Sequence, residues 1–161
     1  MSEFDIVLRP ATENDMALLF DWVNRSDSLD NKLATREPIS WTRHQAWFRE
    51  RLADTDTALW MVGRQGEIIG QVRLQRRAGR LEVDIYIVAA ARGTGVGETT
   101  LAKAAQVARQ RWPGVALLAR VKPANLASRR LFLAAGYTLV GDAAEQVVYE
   151  FRQPVVAGAQ P

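Results

Sequence analysis

The chain has 161 residues, enough for one compact domain and too few for two. Hydrophobic residues make up 48% and charged residues 24%, a globular balance that argues against wholesale disorder; the absence of cysteine excludes a disulfide scaffold, a thiolate zinc site and a cysteine nucleophile. The formal net charge is +3 and no basic run interleaves with aromatics, so nucleic acid is not an expected partner.

Phe4 to Arg9 alternates as a strand and Pro10 ends it. Thr12, with Asp15 three residues on, is a capping-box opening for a helix whose apolar stripe reads Met16, Leu19, Phe20, Val23. Asn24 to Pro38 is a polar loop long enough to carry function. Ser40 caps a second helix on which Trp41, Phe48 and Leu52 recur at helical spacing, and His44, on the same stripe, reads as a packing histidine. Ala58–Arg64 and Glu67–Gln75 form a hairpin through Gln65-Gly66, and Arg80–Val88 follows as a further strand. Arg73, Arg76, Arg77 and Arg80 ring that second turn as a solvated tip, with contact to ligand phosphates as the alternative.

A glycine-rich loop, Arg92-Gly93-Thr94-Gly95-Val96-Gly97, leads into an alanine-rich helix that runs to about Trp112 and is broken by Pro113-Gly114. Val115–Val121 is apolar enough for a strand buried on both faces. A last helix from Pro123 carries Ser128, Leu131, Phe132 and Ala135 on one stripe and stops at Gly136. Tyr137–Val140 and Glu145–Arg152 close the chain as a hairpin, and residues 153–161 have the composition of a frayed tail. This order predicts an α+β fold with a mixed sheet and helices on both faces, a single domain over residues 1–152. The longest apolar run, Ile85 to Ala91, is far short of the roughly 20 residues a membrane span needs, and the N-terminus has no signal pattern. The expected compartment is the cytoplasm, with no membrane partner.

The loop is where chemistry concentrates. A strand-to-helix turn presents unpaired N–H groups and the positive end of the helix dipole, a setting for a pyrophosphate; a tight turn with no ligand is the alternative. Glu98 stands where a dinucleotide fingerprint needs its third glycine and a Walker loop its lysine, which leaves the pattern Arg92…Gly95…Gly97.

With that loop, the opening LRPATENDMALLFDW, the strand VDIYIVA and the segment PANLASRRLFLAAGY, nearly the whole chain resembles the GNAT superfamily of acyl-CoA-dependent N-acetyltransferases. The resemblance implies about seven strands, mostly antiparallel and splayed between the fourth and fifth, with about four helices. It implies acetyl-CoA as acyl donor and no metal, as expected of a chain whose one histidine is His44. The cofactor would be held by Arg92, Gly93, Thr94, Gly95, Val96 and Gly97, by the backbone of Ile87, Val88 and Ala89, and by Asn125, which can equally serve as a helix cap. Glu82 and Asp84, on one face of the fourth strand, are base candidates for deprotonating an amine; a solvated sheet edge is the plain alternative. Relatives place a tyrosine acid where this chain has Phe132, which leaves Tyr86, Tyr137 or water. The stretch DWVNRSDS…EPISWTRHQAWF is similar to N-acetyltransferases of nucleotide-linked amino sugars, which implies a small-molecule amine bound by Trp22, Asn24, Arg25, Trp41 and Trp60. Acetylation of a protein N-terminus or lysine, and a catalytically silent CoA-binding module, are the other readings. A monomer or homodimer is expected.

Overall fold

The computed structural model describes residues 5–25 and 37–154. Seven strands form one sheet in the order β1-β2-β3-β4-β5-β7-β6. They are β1 (Ile6–Pro10), β2 (Thr57–Arg64), β3 (Glu67–Arg77), β4 (Arg80–Ile87), β5 (Leu117–Val121), β6 (Thr138–Asp142) and β7 (Val147–Phe151). Every neighbouring pair is antiparallel except β4 and β5, which are parallel because a crossover helix joins them. The helices are α1 (Met16–Val23), α2 (Trp41–Ala53), the crossover α3 (Val96–Arg111) and α4 (Leu126–Ala134).

Thr12 caps as its spacing predicts, but the box opens a single 3-10 turn, Glu13–Asp15, before α1 begins. Asp15 also takes two hydrogen bonds from Arg9, at 2.8 and 3.0 Å, and so ties β1 to the helix start. α1 and α2 cover one face of the sheet through Met16, Leu19, Trp22 and Phe48 over Leu59 and Met61. α3 covers the other face, its Leu101, Ala104 and Ala108 in one core with Ala58, Trp60, Val72 and Leu74, to which α4 adds Phe132.

Several expectations need correction. Trp22 rather than Phe20 or Val23 completes the buried stripe of α1. On α2 the buried residues are His44 and Phe48, while Trp41 and Leu52 are more than a third exposed. β5 is fully buried on one face only, since Arg120 reaches solvent. The fraying expected from residue 153 does not begin there: Gln153 donates to the carbonyls of Trp112 and Val115 and accepts from Gly114 N–H. Residues 26–36 of the polar loop, and 155–161 of the tail, lie outside the described residues.

The feature that makes a site is the parting of β4 from β5. Their pairing comprises Leu81 with Leu117 and Glu82 with Leu118, and nothing beyond. Leu81 N–H still donates to Ala116 O at 2.9 Å, while Val88 N–H donates the other way, to Ile69 O at 2.9 Å. Backbone groups alternate along a strand, so beyond the Glu82–Leu118 pairing those of Ile85 and Ile87 point into the opening wedge with no strand opposite them.

Candidate active site

The wedge opens into a cavity of about 690 Å³ that runs from the α3 N-terminus, past β4, to α1 and α2. At one end the chain turns sharply. Gly93 and Gly95 take φ of +76° and +84°, a left-handed backbone that suits glycine. Gly95 is the N-cap and has no side chain to offer, and the first helical bond is Thr99 N–H to Gly95 O. The amides of Val96, Gly97 and Glu98 therefore have no intrahelical acceptor and sit at the positive end of a 16-residue helix. Gly97 serves a different end. A Cβ there would stand 2.8 Å from Leu131 Cδ1, so its smallness lets α3 and α4 pack closely.

Of the residues expected to hold CoA, Ile87, Arg92, Gly93, Gly95, Gly97 and Asn125 line the cavity. Val88, Ala89, Thr94 and Val96 do not. Val88 spends its N–H on the β3 ladder, and Ala89 opens a short 3-10 turn. Thr94 turns its hydroxyl back to Ala91 O at 2.6 Å, and the Val96 side chain is core, leaving only its amide at the helix end. Arg92 is held by Nε donating to Ile87 O at 2.7 Å and lies 5.4 Å from the Tyr86 ring centre. Asn125 caps α4 by accepting from Ser128 N–H, so the cap reading holds while the side chain also lines the wall.

The two carboxylates separate. Asp84 lies on the cavity wall, where Gln71 Nε2 donates to its Oδ2 at 2.8 Å and Arg73 Nη1 lies 4.0 Å from the same oxygen. Glu82 is not on the wall; it faces Arg120 at 3.9 Å, beside the last pairing of β4 with β5. Among tyrosines, Tyr86 lines the cavity with its ring 5.4 Å from Trp22, whereas Tyr137 is buried with no hydrogen bond to its hydroxyl. Burial pushes the Tyr137 phenol upward, away from ionisation. Phe132 is buried and lines the wall.

At the other end, only Trp22 of the residues expected to meet the acceptor lines the cavity. Asn24 staples the chain across its loop, donating Nδ2 to Ile39 O at 3.0 Å and accepting from Ile39 N–H at 2.7 Å. Arg25 pairs with Asp21 at 2.9 Å on the surface, and Trp41 packs edge-on against Phe20 outside the wall. Trp60 points to the opposite face of the sheet, into the α3 core. Arg43, His44, Trp47, Gln71 and Arg73 line the wall instead. Arg73 is therefore no part of a solvated tip; its guanidinium stands 5.2 Å from the Trp47 ring centre. His44 donates Nε2–H to Met16 O at 3.0 Å, and burial lowers its pKa against the opposing pull of that carbonyl. The wall carries Arg43, Arg73, Arg92, Arg120 and Arg130 against Asp84 and Glu98, a net cationic surface.

A family model described as an acetyltransferase (GNAT) domain matches residues 5–138. The chain belongs to the GNAT acetyltransferase family. Among proteins of curated function none matches it by sequence. A domain from Methanocaldococcus jannaschii shares the GNAT fold at a TM-score of 0.82, with 20% identity over 92% of this chain and 98% of that one. A spermidine N-acetyltransferase from Vibrio cholerae, solved with CoA and spermine, gives 0.79 with 17% identity over 92% and 96%. A ribosomal-protein-alanine N-acetyltransferase from Brucella melitensis gives 0.76 with 24% identity over 91% and 99%. Among the described residues, no helix of this GNAT chain is long and apolar enough to cross a membrane.

Proposed function

We propose that the protein transfers an acetyl group from acetyl-CoA to a primary amine of a small, anionic acceptor, within a ternary complex, and that a nucleotide-linked amino sugar is the acceptor class the site suits. One observation carries this reading: a single cavity joins the α3 N-terminus and the unpaired edge of β4 to a wall holding Asp84, Arg43, Arg73 and Trp47. The donor set fits the cofactor, since uncapped helix amides and arginines suit phosphates and the free strand edge suits an amide-bearing arm. Acetyl-CoA, when bound, supplies a thioester carbonyl for the amine to attack, with loss of the thiol.

The chain's own groups do the rest. Asp84 accepts the proton of the amine. The N–H groups of Ile85 and Ile87 are the donors aimed into the wedge, and a donor set in place before reaction stabilises developing negative charge best. Tyr86 is the hydroxyl on the wall that can return a proton to the thiolate. Arg43 and Arg73, with the rings of Trp47 and Trp22, favour a ring-bearing acceptor with negative charge over a polycation such as spermidine.

The test is thiol release from acetyl-CoA with a UDP-linked amino sugar, spermidine and a peptide with a free N-terminus. The sugar nucleotide is expected to turn over fastest; preference for spermidine overturns the anionic acceptor, and silence with every amine overturns the enzyme reading. Asp84→Asn should lower kcat by roughly 10²–10⁴-fold while Glu82→Gln stays near wild type. Calorimetric CoA affinity should be unchanged in both. The reverse ranking would return the base to Glu82.

A further inference from the structure

Gln71 sits in β3, nine-tenths buried, in the middle of the sheet. Its neighbours in the pleat are apolar residues or members of the cavity wall. Burying an amide there needs a reason, because its Oε1 has no hydrogen-bond partner and no solvent contact. An apolar side chain of the same length would leave no orphan acceptor. The one bond the side chain makes is from Nε2 to Asp84 Oδ2, at 2.8 Å. That bond also fixes which way the amide points, since turning it over would set Oε1 against a carboxylate oxygen. The register explains the reach. Gln71 pairs with Tyr86 and Arg73 pairs with Asp84, so Gln71 is the diagonal neighbour of Asp84 on the same face.

Resting on the reading of Asp84 as base, we infer that Gln71 is a positioning residue, retained at the expense of its own unsatisfied carbonyl to hold the Asp84 carboxylate toward the cavity and to favour its charged form. Arg73 approaches the same oxygen from 4.0 Å, so the two β3 side chains grip Oδ2 together. A carboxylate gripped through one oxygen has its other oxygen set in a defined direction, which is what proton transfer from a bound amine requires. The other charged or titratable groups on the strand face and the cavity wall are Tyr86 and Glu82 of β4, Arg120 of β5, Arg43 and His44 of α2, and Arg92, Glu98 and Arg130 toward α3 and α4.

Gln71→Met keeps length and removes both amide atoms. Its thermal midpoint, read by circular dichroism, is expected to equal or exceed that of wild type, because the orphan acceptor is gone. The Asp84 carboxyl, followed by carbon-13 NMR and assigned by its loss in Asp84→Asn, is expected to titrate higher by roughly half a pH unit or more. Single-turnover acetyl transfer to a UDP-linked amino sugar should slow at least 10-fold, with its acid limb moved to higher pH and CoA affinity unchanged. In the Asp84→Asn background the same change should have no further effect on rate.

A wild-type Asp84 titration and acid limb in Gln71→Met would overturn the inference. So would a variant that unfolds, since the amide would then be needed by the fold, and so would additive losses in the double variant. If Asp84→Asn itself retains full activity, the base assignment has failed; if Asp84→Asn is slow while Gln71→Met is wild type in rate and titration, only the inference about Gln71 has failed.

Discussion

A phenol hydroxyl sealed in a core without a partner destabilises the state that buries it, and Tyr137 is such a group. Its ring packs edge-on against Phe132 at 5.0 Å, and that packing is what the fold uses. Tyr137→Phe keeps the ring and removes the orphan. It should leave stability unchanged or raise it by about 1 kcal/mol, with acetyl transfer unaffected. Tyr86 is the contrasting case, because it lies on the wall between Trp22 and Arg92. Tyr86→Phe should slow single-turnover transfer by 10-fold or more with CoA binding preserved. Thermal melts and stopped-flow thiol release on the two variants separate the roles; a slow Tyr137→Phe beside a normal Tyr86→Phe would exchange them.

Three glycines in one loop read in sequence as one device for close approach to an anion, and at the level of elements they divide. Gly93 and Gly95 are set by their positive φ, whereas Gly97 is set by Leu131 across the α3–α4 contact. Gly97→Ala should therefore cost about 1–3 kcal/mol by pushing the helices apart, and Leu131→Ala should relieve part of it. Chemical denaturation of the two single variants and the double checks this: the double must lose less than the two losses added. Neither φ nor a helix–helix distance is written in a spacing pattern, which is why the division was not legible. Alternation, by contrast, is written there, and β4 shows it: Leu81, Val83, Ile85 and Ile87 join the α3 core while Tyr86 packs toward α1. Where both faces are covered the signal vanishes. Residues 57–62 of β2 are all buried, so nothing in the pattern tells that Leu59 faces the cavity and Trp60 the opposite core. Gln71, and the approach of Arg73 to Asp84, were missed for a related reason, since only the β3–β4 register brings the two side chains to that carboxylate.

For the molecule as a whole, acid tolerance rests on the layer that α1 and α2 form over the sheet, because both of its buried ionisable groups resist protonation. Burial alone would raise the Asp15 pKa, but the Arg9 guanidinium and the Thr12 N–H outweigh it and hold the carboxyl below its ordinary value. Its contribution is present above the unfolded pKa near 3.8 and is lost as pH falls through the lower folded value. His44 acts earlier. Desolvation depresses its folded pKa below 6.5, so the unfolded chain binds the proton first and stability declines as pH falls from about 6.5 toward that folded value. The slope cannot exceed about 1.4 kcal/mol per pH unit, one proton's worth. The chain has a single histidine, so no other imidazole contributes in that window. Urea midpoints taken from pH 7.5 down to 5 should fall in the wild type and stay flat in His44→Gln, whose amide can still donate to Met16 O. A wild-type curve that is flat over that range, or a variant that falls in parallel with it, would show that protonation of His44 is not what loosens the α1–α2 layer.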